Sequence, residues 1–375
     1  MMFEHDNAVT DCGVKIKIIG VGGGGGNAAS RMVAANVQGV DIYSLNTDKL
    51  AFRHSEVPNR VVIGEKITKG YGAGAKPQIG ARAAEESAEE IREILEGADM
   101  VFVTAGMGGG TGTGAAPIVA RMAREMDILT IGIVTKPFAF EGKRRMDQAE
   151  AGIAELAQYV DSLVVIPNER LKLISADKLT LSNAFTIADD VLRRGVQSIS
   201  DLINVSGFIN LDFADVTSVM KNAGYAHMGV GSATGKDKAE IAAKEAISSP
   251  LLETSIKGAK GVLINITVSP DVSLDEVDLA STLITNEANP DANVIWGVSF
   301  DHEMENAMHI TIIATGFEKK PEDEARANPK PATYRAPQRQ TEAQKQSVAS
   351  AVRRVVPVRR EDADDGDDLL LMTRR

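Results

Sequence analysis

The sequence predicts an α/β protein, in which a parallel sheet with helices on both faces is followed by a long helix and a second, smaller α/β unit. Three observations support this fold class. Apolar runs alternate with helical patterns through roughly the first 170 residues, as in parallel sheets covered by helices. Two of these runs lead directly into glycine-rich stretches. A long segment of helical periodicity then separates the two halves of the chain.

The first half of the chain contains six apolar runs of the length expected for buried strands. The predicted strands are Lys15–Ile19, Val40–Leu45, Arg60–Ile63, Met100–Thr104, Leu129–Val134 and Ser162–Ile166. The predicted helices between them are Asn27–Ala35, Pro77–Leu95, Gly114–Met126 and Arg145–Val160. Ligands of such a sheet bind beyond the carboxyl ends of its strands, so the residues that follow the strands are the first place to look for a site.

A single long helix is predicted from Leu181 to Val205, because apolar residues recur there at helical spacing and cover much of its surface. We expect it to run through the middle of the molecule. Beyond it, the predicted strands are His227–Gly235, Gly261–Val268, Val294–Phe300 and His309–Thr315, and the predicted helices are Lys236–Ile247 and Leu274–Thr285. This second unit has no glycine nest, metal-ligand cluster or nucleophile constellation, which indicates a structural and interaction role.

The stretch Gly106–Gly114 is the strongest functional signal in the chain. Six of its nine residues are glycine, and it lies between a predicted strand and a helix expected from Ala115. Successive backbone N–H groups in such a turn form a nest for anions, and the positive end of the helix points at it. The predicted phosphate contacts are Gly108, Gly109, Gly110, Thr111, Gly112 and Thr113. A flexible linker would not abut an apolar strand, and the Lys-Ser or Lys-Thr pair of a Walker loop is missing.

A second glycine-rich loop is predicted after the first strand. Gly20, Gly22 and Gly25 satisfy the G-x-G-x-x-G pattern, and Asp41 and Asp48 follow downstream. Alone, this pattern favours a NAD-dependent Rossmann dehydrogenase. Two phosphate loops at the ends of neighbouring strands instead favour a more highly charged phosphate tail. The predicted contacts of this loop are Gly23, Gly24, Gly25, Gly26 and Asn27.

Composition limits the remaining function classes. The net charge is −11, and the segment before Phe317 carries −13, so an acidic body argues against nucleic acid as a partner. Cys12 is the only cysteine, which indicates a reducing compartment. The amino terminus lacks the apolar core of a signal peptide, and no apolar run approaches the length of a membrane span. We therefore expect a cytoplasmic protein without direct membrane insertion.

Several motifs in this order resemble the tubulin superfamily, and in particular its FtsZ family of bacterial cell-division proteins. The resemblance covers roughly the first 317 residues. Besides both glycine stretches, the similar segments are Asn46–Asp48, Thr68–Gly74, Thr135–Arg145 and Asn210–Asp215. It implies a tubulin-like fold with a Rossmann-like GTPase domain, a central helix and a C-terminal domain with a mixed sheet. It further implies GTP/GDP and Mg²⁺ as cofactors, and a head-to-tail polymer that builds the mid-cell cytokinetic ring.

The resemblance also assigns the nucleotide contacts outside the glycine stretches. Guanine presents two donors on its Watson–Crick edge, which a carboxylate can accept. Asp189 is placed for this role, and Phe185, one turn earlier, for stacking on the base. Asn27 is a further expected base contact. Glu141 is assigned to the ribose hydroxyls and Arg145 to the sugar–phosphate region, where a carboxylate and a guanidinium are chemically apt.

The phosphate nests contain no obvious general base. Asn210, Asp212 and Asp215 are the expected catalytic residues, since two nearby carboxylates can position a water molecule. Taken alone, this pattern is more typical of a helix N-cap. The resemblance implies that these residues complete the site of the next subunit, so that hydrolysis requires a polymer. A non-catalytic, nucleotide-gated scaffold is the remaining alternative.

The predicted division of the chain follows from these assignments. The segments are a flexible amino terminus (1–13), a GTP-binding domain (14–180), the central helix (181–205), a C-terminal α/β domain (206–317), a disordered linker (318–360) and an interaction peptide (361–375). We expect the peptide to bind membrane-tethering and regulatory division proteins. It has the acidic residues and leucines of the family's terminal peptide but lacks the usual proline.

Overall fold

The structure, a computed structural model, describes residues 13–174, 180–204, 208–209, 211–252, 255–301 and 304–317. Asn210, nearly all of the amino-terminal segment, the linker and the terminal peptide lie outside these residues. No helix in the described ranges is long and apolar enough to cross a bilayer.

The described residues contain ten strands joined in one sheet. They are β1 (Ile16–Val21), β2 (Val40–Asn46), β3 (Asn59–Val62), β4 (Met100–Gly106), β5 (Leu129–Lys136), β6 (Ser162–Pro167), β7 (Gly224–Thr234), β8 (Gly261–Val268), β9 (Asn293–Phe300) and β10 (Ala307–Thr315). Their order across the sheet is β3-β2-β1-β4-β5-β6-β7-β10-β8-β9.

Eleven α-helices are found in the described ranges. They are α1 (Gly22–Ala34), α2 (Glu65–Thr68), α3 (Pro77–Glu86), α4 (Ala88–Leu95), α5 (Thr111–Glu125), α6 (Lys143–Leu156), α7 (Leu171–Ile174), α8 (Leu181–Asn204), α9 (Phe213–Met220), α10 (Lys238–Ile247) and α11 (Leu274–Glu287). All the predicted helices and strands are present, with bounds that differ by a few residues.

Strands β1 to β6 run parallel, as predicted, and alternate residues of each strand enter two separate cores. In β1, Ile16 and Ile18 pack with α1 and α8, whereas Ile19 and Val21 pack with α3, α4, α5 and α6. Because both faces are covered, most of these strands consist largely of apolar residues instead of alternating with polar ones. This is why the apolar runs predicted them so directly.

The C-terminal strands make the sheet mixed, which confirms the implied fold. Strand β7 pairs in parallel with β6, β10 runs antiparallel to both β7 and β8, and β9 is parallel to β8. Helices α10 and α11 cover one face of this part and enclose a third apolar cluster.

Helix α8 runs along the parallel strands, from their carboxyl ends to their amino ends. Its first turns lie beside the aromatic residues that follow β5, and near its end Asn204 donates a hydrogen bond to the carbonyl of Gly39, just before β2 begins (Nδ2–O 2.9 Å). The helix therefore runs from the carboxyl edge of the sheet to its amino edge. This explains its extensive apolar surface.

Three predicted boundaries were wrong. Gly22–Gly26 is the first turn of α1 and not a loop, and α5 begins at Thr111, ahead of the predicted start. Side chains at Gly22, Gly24 and Gly25 would meet the backbone of neighbouring segments, and this close approach explains glycine there. The helix predicted over Pro77–Leu95 is interrupted at Ser87, whose hydroxyl accepts the backbone N–H of Gly64 (3.1 Å).

Candidate functional site

The two glycine stretches meet at the carboxyl edge of the sheet. They follow β1 and β4, which are neighbours, with Val21 opposite Ala105. A Cβ atom on Gly22 would stand 2.7 Å from the backbone nitrogen of Gly112, and one on Gly24 would stand 3.1 Å from Gly106. The amino ends of α1 and α5 are therefore in contact. Their combined unpaired N–H groups and dipoles favour an anion at this position.

At two of the glycines, the surrounding protein would accommodate a side chain without contact or backbone strain. Cβ atoms on Gly23 and Gly109 would meet no atom within 4 Å, and neither residue has a positive φ. Among the glycines of the described ranges, only these two combine both properties. Gly25, in contrast, is buried and packs against the carbonyl of Thr104, so its lack of a side chain serves packing. Both residues are predicted phosphate contacts, and the open space beside them, where phosphate oxygens are expected, is named the phosphate cradle.

The threonines of the second stretch hold the loop in shape. The hydroxyl of Thr113 is buried and accepts the backbone N–H of Gly108 (2.8 Å), whose φ of +97° is one that glycine readily adopts. The hydroxyl of Thr111 lies 2.7 Å from that of Thr47. Both hydroxyls therefore have partners within the protein. Thr111 is partly exposed, and the predicted phosphate contacts of both residues stay predictions.

An open cleft of about 330 Å³ extends from the first glycine stretch toward α8. It is lined by Gly22, Gly23, Gly26, Asn27, Ser30, Arg31, Ala34, Ser44, Asn46, Ala51, Phe52, His54, Ser55, Glu56 and Asp189. Four predicted contacts, from Gly23, Gly26, Asn27 and Asp189, thus line one cleft although Asp189 is distant in sequence. The phosphate cradle lies at one end of it.

Asp189 lies at the other end of this cleft and is largely buried. Its Oδ2 is 3.4 Å from Nε of Arg31 on α1. Burial raises the pKa of Asp189 to about 6, although the charge of Arg31 and its hydrogen bond act in the opposite direction. A buried carboxylate that retains a charged form near neutral pH is suited to accept two hydrogen bonds from one ligand.

Three phenylalanines form a cluster beside Asp189. The rings of Phe138 and Phe140 stack with centroids 5.3 Å apart, and Phe185 meets them edge-on at 5.5 and 6.4 Å. Phe185 keeps 43% of its surface exposed. The cluster fixes the exposed ring one turn from Asp189, where it could stack on a planar base.

Glu141 and Arg145 connect this cluster to the second glycine stretch. Their side chains form an ion pair (Oε2–NH1 3.0 Å), and Oε1 of Glu141 accepts the backbone N–H of Phe138 (2.9 Å). Arg145 also packs so closely on Gly108 that a Cβ there would lie 2.7 Å from its Cγ. The pair thus contacts both the phenylalanine cluster and the second glycine stretch, and its assignment to the sugar stays a prediction.

Several residues that line the cleft were not predicted from the sequence. Arg31 stands one turn after Asn27 on the same face of α1, and this spacing was an available signal. Ser44 and Asn46 end β2, so they too follow from the rule that ligands lie beyond strand ends. His54, Ser55 and Glu56 come from an irregular segment, and no pattern in the sequence marks them.

Asp212 and Asp215 lie away from this cleft. Asp212 is the N-cap of α9 and forms a reciprocal capping box with Asp215, whose N–H it accepts at 2.8 Å. Leu211, next to Asp212, is close to Gly297 of β9, which also contacts Leu202 near the end of α8. Since α8 rises 1.5 Å per residue, the distance along it from Asp189 to Leu202 is about 20 Å. The structure does not bring the expected catalytic carboxylates to the phosphate cradle of the same chain.

Mg²⁺ has no protein cage in the described ranges, since no cluster of three or more His, Cys, Asp or Glu side chains could hold a metal there. The side chains present do not fit a metal held by the protein alone. Mg²⁺ commonly binds through substrate phosphates, with few protein ligands.

Comparison with known proteins identifies the family and the fold. Residues 15–176 match the Tubulin/FtsZ family, GTPase domain, and residues 224–318 match the FtsZ family, C-terminal domain. An empty FtsZ dimer of M. jannaschii is 41% identical with a TM-score of 0.78, over 81% of this chain and 88% of that one. A point mutant of FtsZ from the same organism is 40% identical with a TM-score of 0.79, over 81% and 92%.

A more distant structure shares the fold alone. CetZ2 of Haloferax volcanii, solved as a protofilament with GTPγS bound, is 22% identical with a TM-score of 0.68, over 90% of this chain and 99% of that chain. Both glycine stretches, Glu141 and Arg145 lie within the matched GTPase domain. The chain belongs to the FtsZ family of tubulin-like GTPases.

Proposed function

We propose that this chain is a cell-division protein that polymerises head to tail into the cytokinetic ring at mid-cell, in the cytoplasm, and hydrolyses GTP where two subunits meet. One observation carries the proposal. The phosphate cradle lies at the carboxyl edge of the parallel strands, and Asp212 and Asp215 lie toward the opposite end of α8. A monomer thus has two incomplete half-sites that a head-to-tail contact would join.

The cleft favours GTP and GDP over other nucleotides. The amide groups around Gly23–Gly26 and Gly108–Gly110 would hold the phosphates, and Glu141 and Arg145 the sugar. Asp189 would accept the guanine donors, with Asn27 as a further base contact and Phe185 stacked on the ring. A dehydrogenase would need only one of the two glycine stretches, so their joint cradle supports a nucleoside triphosphate.

Hydrolysis requires a water molecule in line with the terminal phosphate, which is held mainly by positioning and electrostatics. In the polymer, the exposed carboxylate of Asp212 and the half-buried one of Asp215 would orient this water from the neighbouring subunit. Their capping bonds use one oxygen of each side chain and fix the directions of the others. Asn210 would assist, although it lies outside the described residues. Mg²⁺ would bind mainly through the phosphate oxygens and neutralise their charge.

The proposal extends to the division of the chain. Segment 14–180 would bind the nucleotide and 181–205 would form the central helix. Segment 206–317 would carry the catalytic residues at its start, and 318–360 would tether the peptide 361–375. That peptide would recruit membrane-tethering and regulatory division proteins. The polymer itself needs only further copies of this chain.

The test measures light scattering and phosphate release after GTP addition, over a series of protein concentrations. Because no monomer has a complete site, turnover per subunit should rise steeply above an assembly threshold. Asp212→Asn keeps a residue that caps helices well but removes the carboxylate, so it should abolish turnover and leave GTP binding by the monomer intact. Mixed into wild type, it should lower activity more than dilution does.

The matched control is Ser273→Ala, which removes the same kind of capping box from α11. This variant loses its cap, whereas Asp212→Asn keeps one, so Ser273→Ala should cost more stability than Asp212→Asn, about 1 kcal/mol, yet show no loss of turnover. A GTPase rate per subunit that stays constant with concentration and ignores added Asp212→Asn would contradict the shared site. Assembly without phosphate release would identify the non-catalytic scaffold, and binding of NAD but not GTP the dehydrogenase.

A further inference from the structure

We propose that Arg31 is a positioning residue that keeps Asp189 in its carboxylate form and thereby sets the pH range over which the cleft prefers guanine. This rests on the proposed function of the cleft, in which Asp189 recognises the base. Arg31 lies on α1, the helix whose first turn forms half of the phosphate cradle. It would therefore link recognition of the base to the element that holds the phosphates.

The geometry fixes Asp189 in one orientation. The Nε of Arg31 donates to Oδ2 of Asp189 at 3.4 Å, and its NH2 donates to the hydroxyl of Thr186 at 3.1 Å, one turn earlier on α8. The guanidinium thus contacts both side chains through two of its nitrogens. In the described part of the chain, Oδ1 of Asp189 has no hydrogen bond, and a carboxylate oxygen can accept more than one. Both oxygens remain available to a ligand in the cleft.

Protonation of Asp189 would remove this capability. The guanine edge presents N1–H and the N2 amino group, and both require acceptors. A protonated carboxyl group offers one acceptor and one donor, so one of the two contacts becomes repulsive. Burial favours the protonated form of Asp189 and raises its pKa to about 6, and Arg31 is the group that opposes this rise. The charged form of Asp189 is therefore stabilised by Arg31.

The other charged groups near Asp189 are placed differently. His54 and Glu56 line the same cleft from the segment that follows β2 and its short helical turn. Asp190, the next residue along α8, is ion-paired with Arg193 and Arg194. In the described part of the chain, Arg31 is thus the cation that forms an ion pair with Asp189.

The experiment measures dissociation constants for GTP and ITP from pH 5 to 8. Inosine lacks the N2 amino group, so the GTP-to-ITP preference reports the contact with Asp189, and phosphate protonation cancels in the ratio. Below the midpoint, wild type should lose its preference by about tenfold per pH unit. Arg31→Gln should raise the midpoint by about one pH unit, which lowers the preference at pH 6 by about fivefold. At pH 8 the wild-type and variant preferences should converge.

Four further variants separate a charge effect from a structural one. Arg31→Lys keeps the charge and should restore most of the wild-type midpoint. Arg53→Gln removes a positive charge from an exposed position on the adjoining turn, and His54→Gln replaces the histidine that lines the cleft. Neither should move the midpoint, whatever its effect on absolute affinity. Asp189→Asn should abolish both the preference and its pH dependence. Circular dichroism at each pH confirms that the proteins are folded.

The outcomes distinguish this proposal from the function on which it rests. If the wild-type protein binds GTP and ITP equally well at every pH tested, Asp189 does not recognise the base. A wild type with a clear midpoint that Arg31→Gln leaves in place would overturn the role of Arg31 alone. A loss in Arg31→Gln that is equally large at pH 8 and pH 6 would also overturn it, because a structural defect does not depend on the protonation of Asp189.

Discussion

Gly23→Ala should increase the stability of the empty protein and weaken its binding of GTP. Gly23 is the second residue of α1 and is exposed, and its added Cβ would meet no protein atom within 4 Å. Its φ is not positive, so alanine fits the existing backbone without strain. Alanine favours a helix over glycine by about 0.5–1 kcal/mol, although less is expected in a first turn. The nucleotide-free protein should therefore melt at the same temperature or slightly higher.

The effect on nucleotide affinity has the opposite sign. Gly23 lines the cleft, and the empty space beside it is where we place phosphate oxygens. A methyl group there prevents close approach to the backbone N–H groups. Loss of one hydrogen bond to a charged group costs about 1.5–3 kcal/mol, which corresponds to roughly a tenfold to 150-fold weaker affinity. No defect in folding could produce this combination of effects.

Calorimetric melting without nucleotide and competition against a fluorescent GDP derivative would measure the two quantities. Gly235→Ala is the matched control, because Gly235 also has open space around it but a φ of +89°. It follows β7, in the second half of the chain, so it should lower the melting temperature and leave GTP affinity unchanged. A folded Gly23→Ala protein with wild-type affinity for GTP would show that the phosphates do not lie over this turn.

Two further predictions concern one glycine and one buried carboxylate. In Gly110→Ser, the added Cβ would stand 2.8 Å from that of Ala73 and 2.9 Å from the backbone nitrogen of Lys76. This variant should therefore lose about 1–3 kcal/mol of stability as well as GTP affinity, measured by the melting and competition assays described above. Gly109→Ser should lose GTP affinity but keep its stability in the same two assays. Burial raises the pKa of Asp201 to about 6, so its charge destabilises the fold at pH 8, and this penalty fades as the pH falls below 6. Asp201→Asn should therefore raise the melting temperature more at pH 8 than at pH 5, and an equal change at both values would contradict this account.

The fold was predictable because its signals are local. Strands buried on both faces appear as continuous apolar runs, and α8 shows its periodicity over six turns. The errors occurred where local signals conflict with context. Glycine has a low helix propensity, yet Gly22–Gly26 begins α1 because contact between two helix ends requires residues without side chains. Sequence pattern alone does not report such a contact.

The candidate site was predictable only in part, because its parts are far apart in the chain. Arg31 meets Asp189 across 158 positions, and Phe138 meets Phe185 although α6, β6 and α7 lie between them in the chain. No periodicity or spacing rule predicts such pairs. The resemblance to the family predicted Asp189, since it is based on a whole family's motifs. It did not predict Arg31, which contacts the carboxylate of Asp189.

The arrangement of charge also constrains how copies of this chain could associate. Two helix amino ends, which favour anions, converge at the carboxyl edge of the sheet. The carboxylates of Asp212 and Asp215 lie toward the other end of α8. A twofold dimer through either end would place like groups together. A head-to-tail contact instead brings the carboxylates of one copy toward the phosphate cradle of the next, and repetition of a contact that does not close produces a filament. A bound triphosphate, however, makes that cradle negative, so the carboxylates then face like charge. We therefore expect phosphate release to change the strength of the contact, which couples hydrolysis to the lifetime of the polymer.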